Sequence, residues 1–558
     1  LETPEAPDKD DREQAAVAAD AALRAAEAFD PGEDTTGEPA PGRQAGRIAR
    51  STAFFSAATA ASRIAGLGRE IVAAGYYGVS GPMSAFTIAF QVPNLVRALF
   101  ADAALQPAFV PIFTEQLERK NYREAFRLAS TLLLLITLVL GAVTALFVLL
   151  APLIMPLFAP GFEGEILDLT VTLSQVLFPI LILLGASGVV VGILNSYDRF
   201  GAFAISPLFW NLTIIAALVF LIPLFEGQDR IYAYAIGILA GTLVQLLIPT
   251  FDLRNTPFKF EWSLDWRNRD VRRVLLLMLP VTISLGLINF NLLINSLFGS
   301  LVSDQAPAAI DKAFRIYQLP QGIFSVAIAT VLFPTLARFA ARGAHDDLRA
   351  TMANGMRQIL FVLLPAAAAV LVLSEPMIRL VYQRGEFTPE QTTLVATALF
   401  WFAFSLPANG LFLLLTRTFF SLQRPWVPTS IAAGNLALTA LAALGLYHLG
   451  VGGIVAATAI ATVASVVAQA IVLRRILGGL ELGRLLDTGI RIAVAAAALA
   501  AVSFGIWDVL DGVLGRGLLG QIASLGSALA IGGLVYLGAA RLLRIAELEQ
   551  VIRLLRRG

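Results

Sequence analysis

About fourteen apolar segments follow one another in this 558-residue chain after residue 50. Each is roughly as long as, or longer than, the ~20 residues that carry a helix across ~30 Å of hydrocarbon. Their limits are near 51–78, 84–113, 125–150, 168–196, 203–224, 231–251, 272–301, 308–338, 351–373, 391–421, 428–447, 451–474, 489–510 and 518–542. A water-soluble fold could not hide that much apolar surface. The sequence predicts an all-α polytopic membrane protein with about fourteen transmembrane helices.

Composition agrees: 57% of residues are hydrophobic and 15% charged, against roughly 45–50% and 25% in soluble domains. The net charge of +1 hides an asymmetry, because residues 1–50 carry about twice as many acids as bases. That segment, rich in Ala, Pro and Gly, cannot bury enough surface to offset its ordering entropy. It is expected to be a disordered acidic cytoplasmic tail, with a short helix around 14–29. It has neither the basic start nor the apolar centre of a secretory signal. The first residue is not Met, and we read the chain as lacking the start of the translation product. Cysteine is absent, which removes disulfides, thiol nucleophiles and thiolate metal sites. The two histidines, His345 and His448, fall near helix ends, a poor arrangement for a buried proton relay.

Basic residues mark alternate connections: Arg119, Lys120 and Arg123; Arg254 to Arg273; Arg338, Arg342 and Arg349; Arg474, Arg475 and Arg484. The intervening loops 79–83, 151–167 and 225–230 carry almost none, so the positive-inside rule places both termini in the cytoplasm. The chain also repeats itself. Pro152-Leu153-Ile154 with Gly161-Phe162 recurs as Pro376-Met377-Ile378 with Gly385-Glu386-Phe387. Ser196 and Arg199 recur as Ser421 and Arg424, and Asn211 as Asn435. Pro93 and Pro107 match Pro320 and Pro334. A nearly constant offset across these sites implies two six-helix lobes related by an axis along the membrane normal, with a substrate site between them. The expected division is a 1–50 tail, a 51–251 lobe, a 252–475 lobe, and 476–558 carrying two further helices.

Four arginines, Arg63, Arg69, Arg97 and Arg315, interrupt these apolar helices. A guanidinium in hydrocarbon costs at least ~2.5–3.5 kcal/mol on insertion scales, so such groups face partners or watery cavities. Its fork suits phosphate and diphosphate. Arg63 and Glu70 are seven apart and share a helix face; Arg69 and Glu70 could also pair with groups on neighbouring helices. In span two, Pro93 frees a backbone carbonyl, Asn94 can re-satisfy exposed groups, and Arg97 lies one turn on. Asp102 is a candidate gate partner or a helix-packing hydrogen-bonder. Arg315 and Gln318 occupy span eight, the repeat counterpart of span two. Arg417 is expected to snorkel, and Asp198, Arg199 and Arg424 to anchor span ends. Paired catalytic carboxylates, a metal-ligand cluster and an activated Ser or Thr are all missing from the sequence pattern. The basic loops suit anionic lipid heads, not nucleic acid.

The motifs Ser62-Arg63-Ile64-Ala65-Gly66-Leu67-Gly68-Arg69-Glu70, Ala89-Phe90-Gln91-Val92-Pro93-Asn94-Leu95-Val96-Arg97 and Phe109-Val110-Pro111-Ile112-Phe113 resemble the MurJ (MviN) lipid II flippases. So do Ala159-Pro160-Gly161-Phe162, Leu194-Asn195-Ser196-Tyr197-Asp198-Arg199-Phe200 and Leu332-Phe333-Pro334-Thr335-Leu336. The resemblance implies the multidrug/oligosaccharidyl-lipid/polysaccharide exporter fold in a bacterial inner membrane. It also implies transfer of undecaprenyl-pyrophosphoryl disaccharide-pentapeptide (lipid II) to the outer leaflet for peptidoglycan synthesis. Membrane lipids and cell-wall synthesis proteins would be its other partners. The family's cavity arginines match Arg63, Arg69, Arg97 and Arg315, and its gate acids match Glu70 and Asp102. Helices thirteen and fourteen would form the lipid-tail groove.

Three positions depart from the family pattern. Ser84, Phe314 and Gln318 stand where relatives often carry acids, which implies a more positive cavity here. Some relatives bind sodium through an Asp in the C-terminal lobe; Asn435 and Thr439 share a face there without such an acid, which argues against sodium coupling. No cofactor is expected, and the membrane potential could drive the cycle. The competing readings are an exporter of another lipid-linked oligosaccharide or of drugs, a membrane glycosyltransferase or polymerase, and a scaffold. Short outer loops disfavour the enzyme, and costly mid-membrane charges disfavour the scaffold.

Overall fold

The computed structural model describes residues 41–100 and 105–549. The tail through residue 40, with the helix expected near 14–29, and Asp102 lie outside the described residues. The chain divides into a unit Leu1–Phe54 and a unit Phe55–Gly558; the site and the packing below concern the second. Among the described residues there are seventeen α-helices and no strand. Eleven helical segments are long and apolar enough to cross a membrane.

The helices follow the expected spans in order. They are α1 Pro41–Tyr77, α2 Gly81–Phe100, α3 Leu105–Glu118, α4 Tyr122–Phe158, α5 Gly164–Leu177, α6 Ile180–Ser196, α7 Gly201–Leu221 and α8 Ile231–Asp252. After a connection come α9 Arg269–Val302, α10 Ala306–Pro320, α11 Val326–Ala341, α12 His345–Tyr382, α13 Pro389–Ser421, α14 Trp426–Leu446 and α15 Val451–Ile476. The last pair is α16 Leu482–Leu514 and α17 Leu518–Leu542. Helix α1 corrects the boundary of the expected disordered tail, since it begins at Pro41 and not after Arg50. Proline suits a helix start, where its missing N–H is no loss, and the Ala and Arg that follow favour helix.

Several spans are built from pieces, and proline marks the joints. A π-helical turn, Gln321–Ser325, separates α10 from α11 immediately after Pro320. Proline cannot donate to the carbonyl four residues back and its ring crowds that group, so the ladder loosens there. In α12, Leu373 leaves helical geometry (φ −114°, ψ 17°) three residues before Pro376. Pro179 stands between α5 and α6.

The molecule is apolar outside and partly polar inside, as lipid solvent demands. Leu149, Leu153, Leu157 and Phe220 are each at least 70% exposed, whereas Ser174, Ser206, Thr242 and Asn295 are buried. Small residues let helices close up: a Cβ on Gly241 of α8 would lie 3.0 Å from the Trp210 carbonyl oxygen of α7. Asn211 donates to the Ser62 carbonyl oxygen at 3.3 Å and so ties α7 to α1.

One end of the bundle is sealed by contacts between distant parts of the sequence. Glu386 N–H donates to the Gly75 carbonyl at 2.9 Å, and Val79 N–H to Gln391 Oε1 at 2.8 Å. Ala308 N–H donates to Ser84 Oγ at 3.1 Å, and Gly161 N–H to Ser300 Oγ at 3.2 Å. Gly385 has φ +60°, and a Cβ there would lie 2.2 Å from the Gly75 oxygen. At the opposite end the connection after α8 lies along α4. Glu261 N–H donates to Ser130 Oγ at 2.9 Å and Thr131 Oγ1 to the Ser263 carbonyl at 3.0 Å.

Candidate functional site: a charged cavity among α1, α2, α8 and α10

A cavity of about 190 Å³ lies inside the bundle. Helix α1 supplies Arg69 and Glu70, α2 supplies Phe86, Thr87, Gln91 and Asn94, α8 supplies Tyr234, and α10 supplies Asp311, Phe314, Arg315 and Gln318. The volume is below the ~300 Å³ of pockets that enclose drug-sized ligands. It can take a compact anion such as a diphosphate, but not a disaccharide-peptide.

The charges interlock. Arg69 Nη2 donates to Glu70 Oε1 at 2.5 Å, and its guanidinium also lies over the Trp210 ring, 4.7 Å from the centroid. Trp210 is held in turn by a bond from its Nε1 to Thr242 Oγ1 at 3.2 Å. Arg315 reaches the same Glu70 oxygen at 4.0 Å. Its Nε and Nη2 face the two carboxylate oxygens of Asp311, one helical turn back, at 3.4 Å each. Glu70 and Arg69 are buried, while the Arg315 side chain keeps 39% of its surface open at the cavity. Behind this layer Lys312 is fully buried, with its Nζ 5.3 Å from the Tyr382 ring centroid.

The residues singled out in the sequence distribute as follows. Arg69, Glu70, Asn94, Arg315 and Gln318 come together on the cavity wall. Pro93 is buried within α2. Arg63 is exposed and is not among the cavity-lining residues. Arg97 belongs to α2, and its side chain lies outside the described residues, as does Asp102. Asp311, one turn before Arg315, joins the wall as an acid that the sequence reading did not single out. The wall carries two guanidiniums and two carboxylates. The cation–acid spacing of four residues in α10 was the available signal. Ser84 is buried and accepts the Ala308 N–H in the first turn of α10. A neutral hydroxyl there serves a helix N-terminus that would also suit an acid.

A second polar cluster lies among α9, α14 and α15. Asn291 Nδ2 donates to Asn435 Oδ1 at 2.8 Å, and Asn435 Nδ2 to Ser465 Oγ at 2.9 Å. Asn291 Oδ1 and Thr439 Oγ1 are buried without a hydrogen-bond partner. The cluster offers oxygens but no carboxylate, and among the described residues no group of three His, Cys, Asp or Glu side chains could hold a metal.

The family model described as lipid II flippase MurJ matches residues 73–518. The chain belongs to the MurJ lipid II flippase family. A probable lipid II flippase MurJ of Rhizobium meliloti (strain 1021) is 34% identical, over 74% of this chain and 78% of that protein. The lipid II flippase MurJ of Burkholderia cenocepacia is 28% identical, over 70% and 77%. Among solved structures, a lipid II flippase MurJ in an inward closed conformation superimposes with a TM-score of 0.72 at 23% identity, covering 88% of this chain and 98% of that one. An inward-facing multidrug resistance transporter of the MATE family and MOP superfamily matches with a TM-score of 0.63 at 14% identity, over 75% and 94%. The family match covers Arg97, Asp311 and Arg315, while Arg63, Arg69 and Glu70 precede its first residue.

Proposed function

We propose that this chain is a lipid II flippase, carrying the undecaprenyl-diphosphate-linked muropeptide from the inner to the outer leaflet of a bacterial plasma membrane. One observation carries the reading beyond family membership. Guanidiniums from α1 and α10, far apart in sequence, meet at one cavity and share the carboxylate Glu70. Paired guanidiniums are the natural recognition element for a diphosphate, and the carboxylates would keep the empty site from holding stray charge.

In this reading, residues 51–251 and 252–475 are two lobes that rock about the cavity. The sealed end is extracytoplasmic and both termini are cytoplasmic. The diphosphate exchanges partners with Glu70 and Asp311, while sugars and peptide stay outside the small cavity until the lobes part. The polyprenyl chain remains in lipid along α16 and α17. Three cations (Arg69, Arg315, Lys312) against two acids leave one positive charge on the empty site. An inside-negative potential acts on it with ~2.3 kcal/mol per 100 mV if it crosses the whole field. That favours return of the empty site inward, without sodium, a cofactor or chemical catalysis.

The test is complementation of a flippase-depleted strain, together with accessibility of lipid II to an external modifying reagent. Wild type should restore both, and Arg315→Ala at equal membrane abundance should restore neither. Growth and outer-leaflet lipid II at wild-type levels with Arg315→Ala would overturn the reading.

A further inference from the structure

Lys312 enters the proposed cycle only as part of the net charge of the site, and no step gives its amine a partner. It is fully buried, and its amine has no hydrogen-bond partner among the described residues. A buried ammonium without a partner is costly, so a fold that keeps one gains something in another state. Lys312 lies on α10 beside Asp311 and one turn before Arg315. Its surroundings are the Tyr382 ring on α12 and, within electrostatic range, Glu70, Asp311, Arg315 and Arg69. It does not line the cavity, so a ligand seated there would not touch it.

The arithmetic of partners gives it a role. Glu70 draws on two guanidiniums, Arg69 at 2.5 Å and Arg315 at 4.0 Å. If a diphosphate takes both, Glu70 remains as a buried carboxylate next to an anion. That repulsion would expel the ligand unless another cation replaces the guanidiniums. We propose that Lys312 is a standby counter-ion for Glu70, which it partners when a diphosphate occupies Arg69 and Arg315. It is thus a positioning residue that acts through Glu70. Because Glu70 sits on α1 and Lys312 on α10, the exchanged pair also holds these two distant helices together while the ligand is bound. This inference rests on the diphosphate reading above.

The experiment is a double-mutant cycle on the purified full chain, with lipid II binding measured in detergent and inorganic pyrophosphate as the headgroup probe. Lys312→Met should weaken binding about tenfold or more, since it leaves a buried charge uncompensated. Lys312→Arg, which keeps the charge, should bind within about threefold of wild type and guards against a folding defect in the Met variant. In a Glu70→Gln background, Lys312→Met should cost less than about twofold, because no carboxylate is left to neutralise. Wild-type affinity in Lys312→Met would overturn the inference, as would the same loss with and without Glu70. Undiminished binding by Arg315→Ala would instead overturn the diphosphate reading itself.

Discussion

Arg379 of α12 donates from Nη2 to Asp511 Oδ1 of α16 at 2.6 Å, with both side chains almost wholly buried. The guanidinium also lies 5.7 Å from the Trp507 ring centroid. Nearer the start of α12, Arg357 donates to Glu547, beyond α17, at 2.8 Å, and one turn further on Tyr536 O–H donates to the Phe361 carbonyl at 2.6 Å. The last two helices are therefore pinned to α12 at two well-separated levels. They will move with that helix as one piece.

Removing Asp511 leaves the buried Arg379 with only the more exposed Glu375, 3.8 Å away, as counter-charge. Asp511→Ala should lower stability by about 3–5 kcal/mol, the usual cost of breaking a buried ion pair, read as a fall in melting temperature in detergent. Arg379→Met with Asp511→Leu should recover most of that loss. A melting temperature unchanged in Asp511→Ala would mean that the pair contributes nothing to the attachment of α16.

Asp311 competes with any anion for Arg315. Asp311→Asn should free that guanidinium, tighten pyrophosphate binding, and slow release of transported lipid II. The expected signature is a lower KM together with a lower kcat, each by about threefold to tenfold, as for a contact that stabilises the bound ground state. A raised KM would place Asp311 on the substrate's side of the exchange.

The cluster of Asn291, Asn435, Thr439 and Ser465 lacks negative charge, so transport in proteoliposomes should proceed equally in sodium and potassium media at fixed potential. Collapsing an inside-negative potential should slow it, in line with ~2.3 kcal/mol per charge per 100 mV. A strict sodium requirement would contradict both expectations.

Gly385 combines a positive φ with a Cβ position 2.2 Å from the Gly75 oxygen. Gly385→Ala should loosen the sealed end by roughly 1–3 kcal/mol of backbone strain and clash. The chain has no native cysteine, so Ala308→Cys, at a buried position beside the seal, provides a clean reporter. Its labelling by a membrane-impermeant thiol reagent should rise about tenfold or more when Gly385→Ala is added.

Hydropathy located the spans because each must match the same apolar thickness, but it saw only their lipid-facing middles. Helix α12 runs His345–Tyr382 where the apolar reading ended at 351–373, since its polar ends continue the helix outside hydrocarbon. Arg69, Glu70 and Arg315 stood out because a charge within an apolar run is conspicuous. Asp311 and Lys312 lie near the start of span eight, where charges resemble ordinary interfacial ones, and only packing reveals that both are inside. Trp210 and Tyr234 carried no signal, because aromatic residues in an apolar helix look like any other filling. Arg63 shares a face with Glu70, yet face alone does not fix depth, and its side chain is exposed.

The sealed end is held by backbone N–H groups meeting one carbonyl, two hydroxyls and one amide, with no ion pair among these four contacts. Neutral bonds are not screened by salt as exposed charges are. Closure at this end should therefore keep nearly the same strength over a wide range of ionic strength.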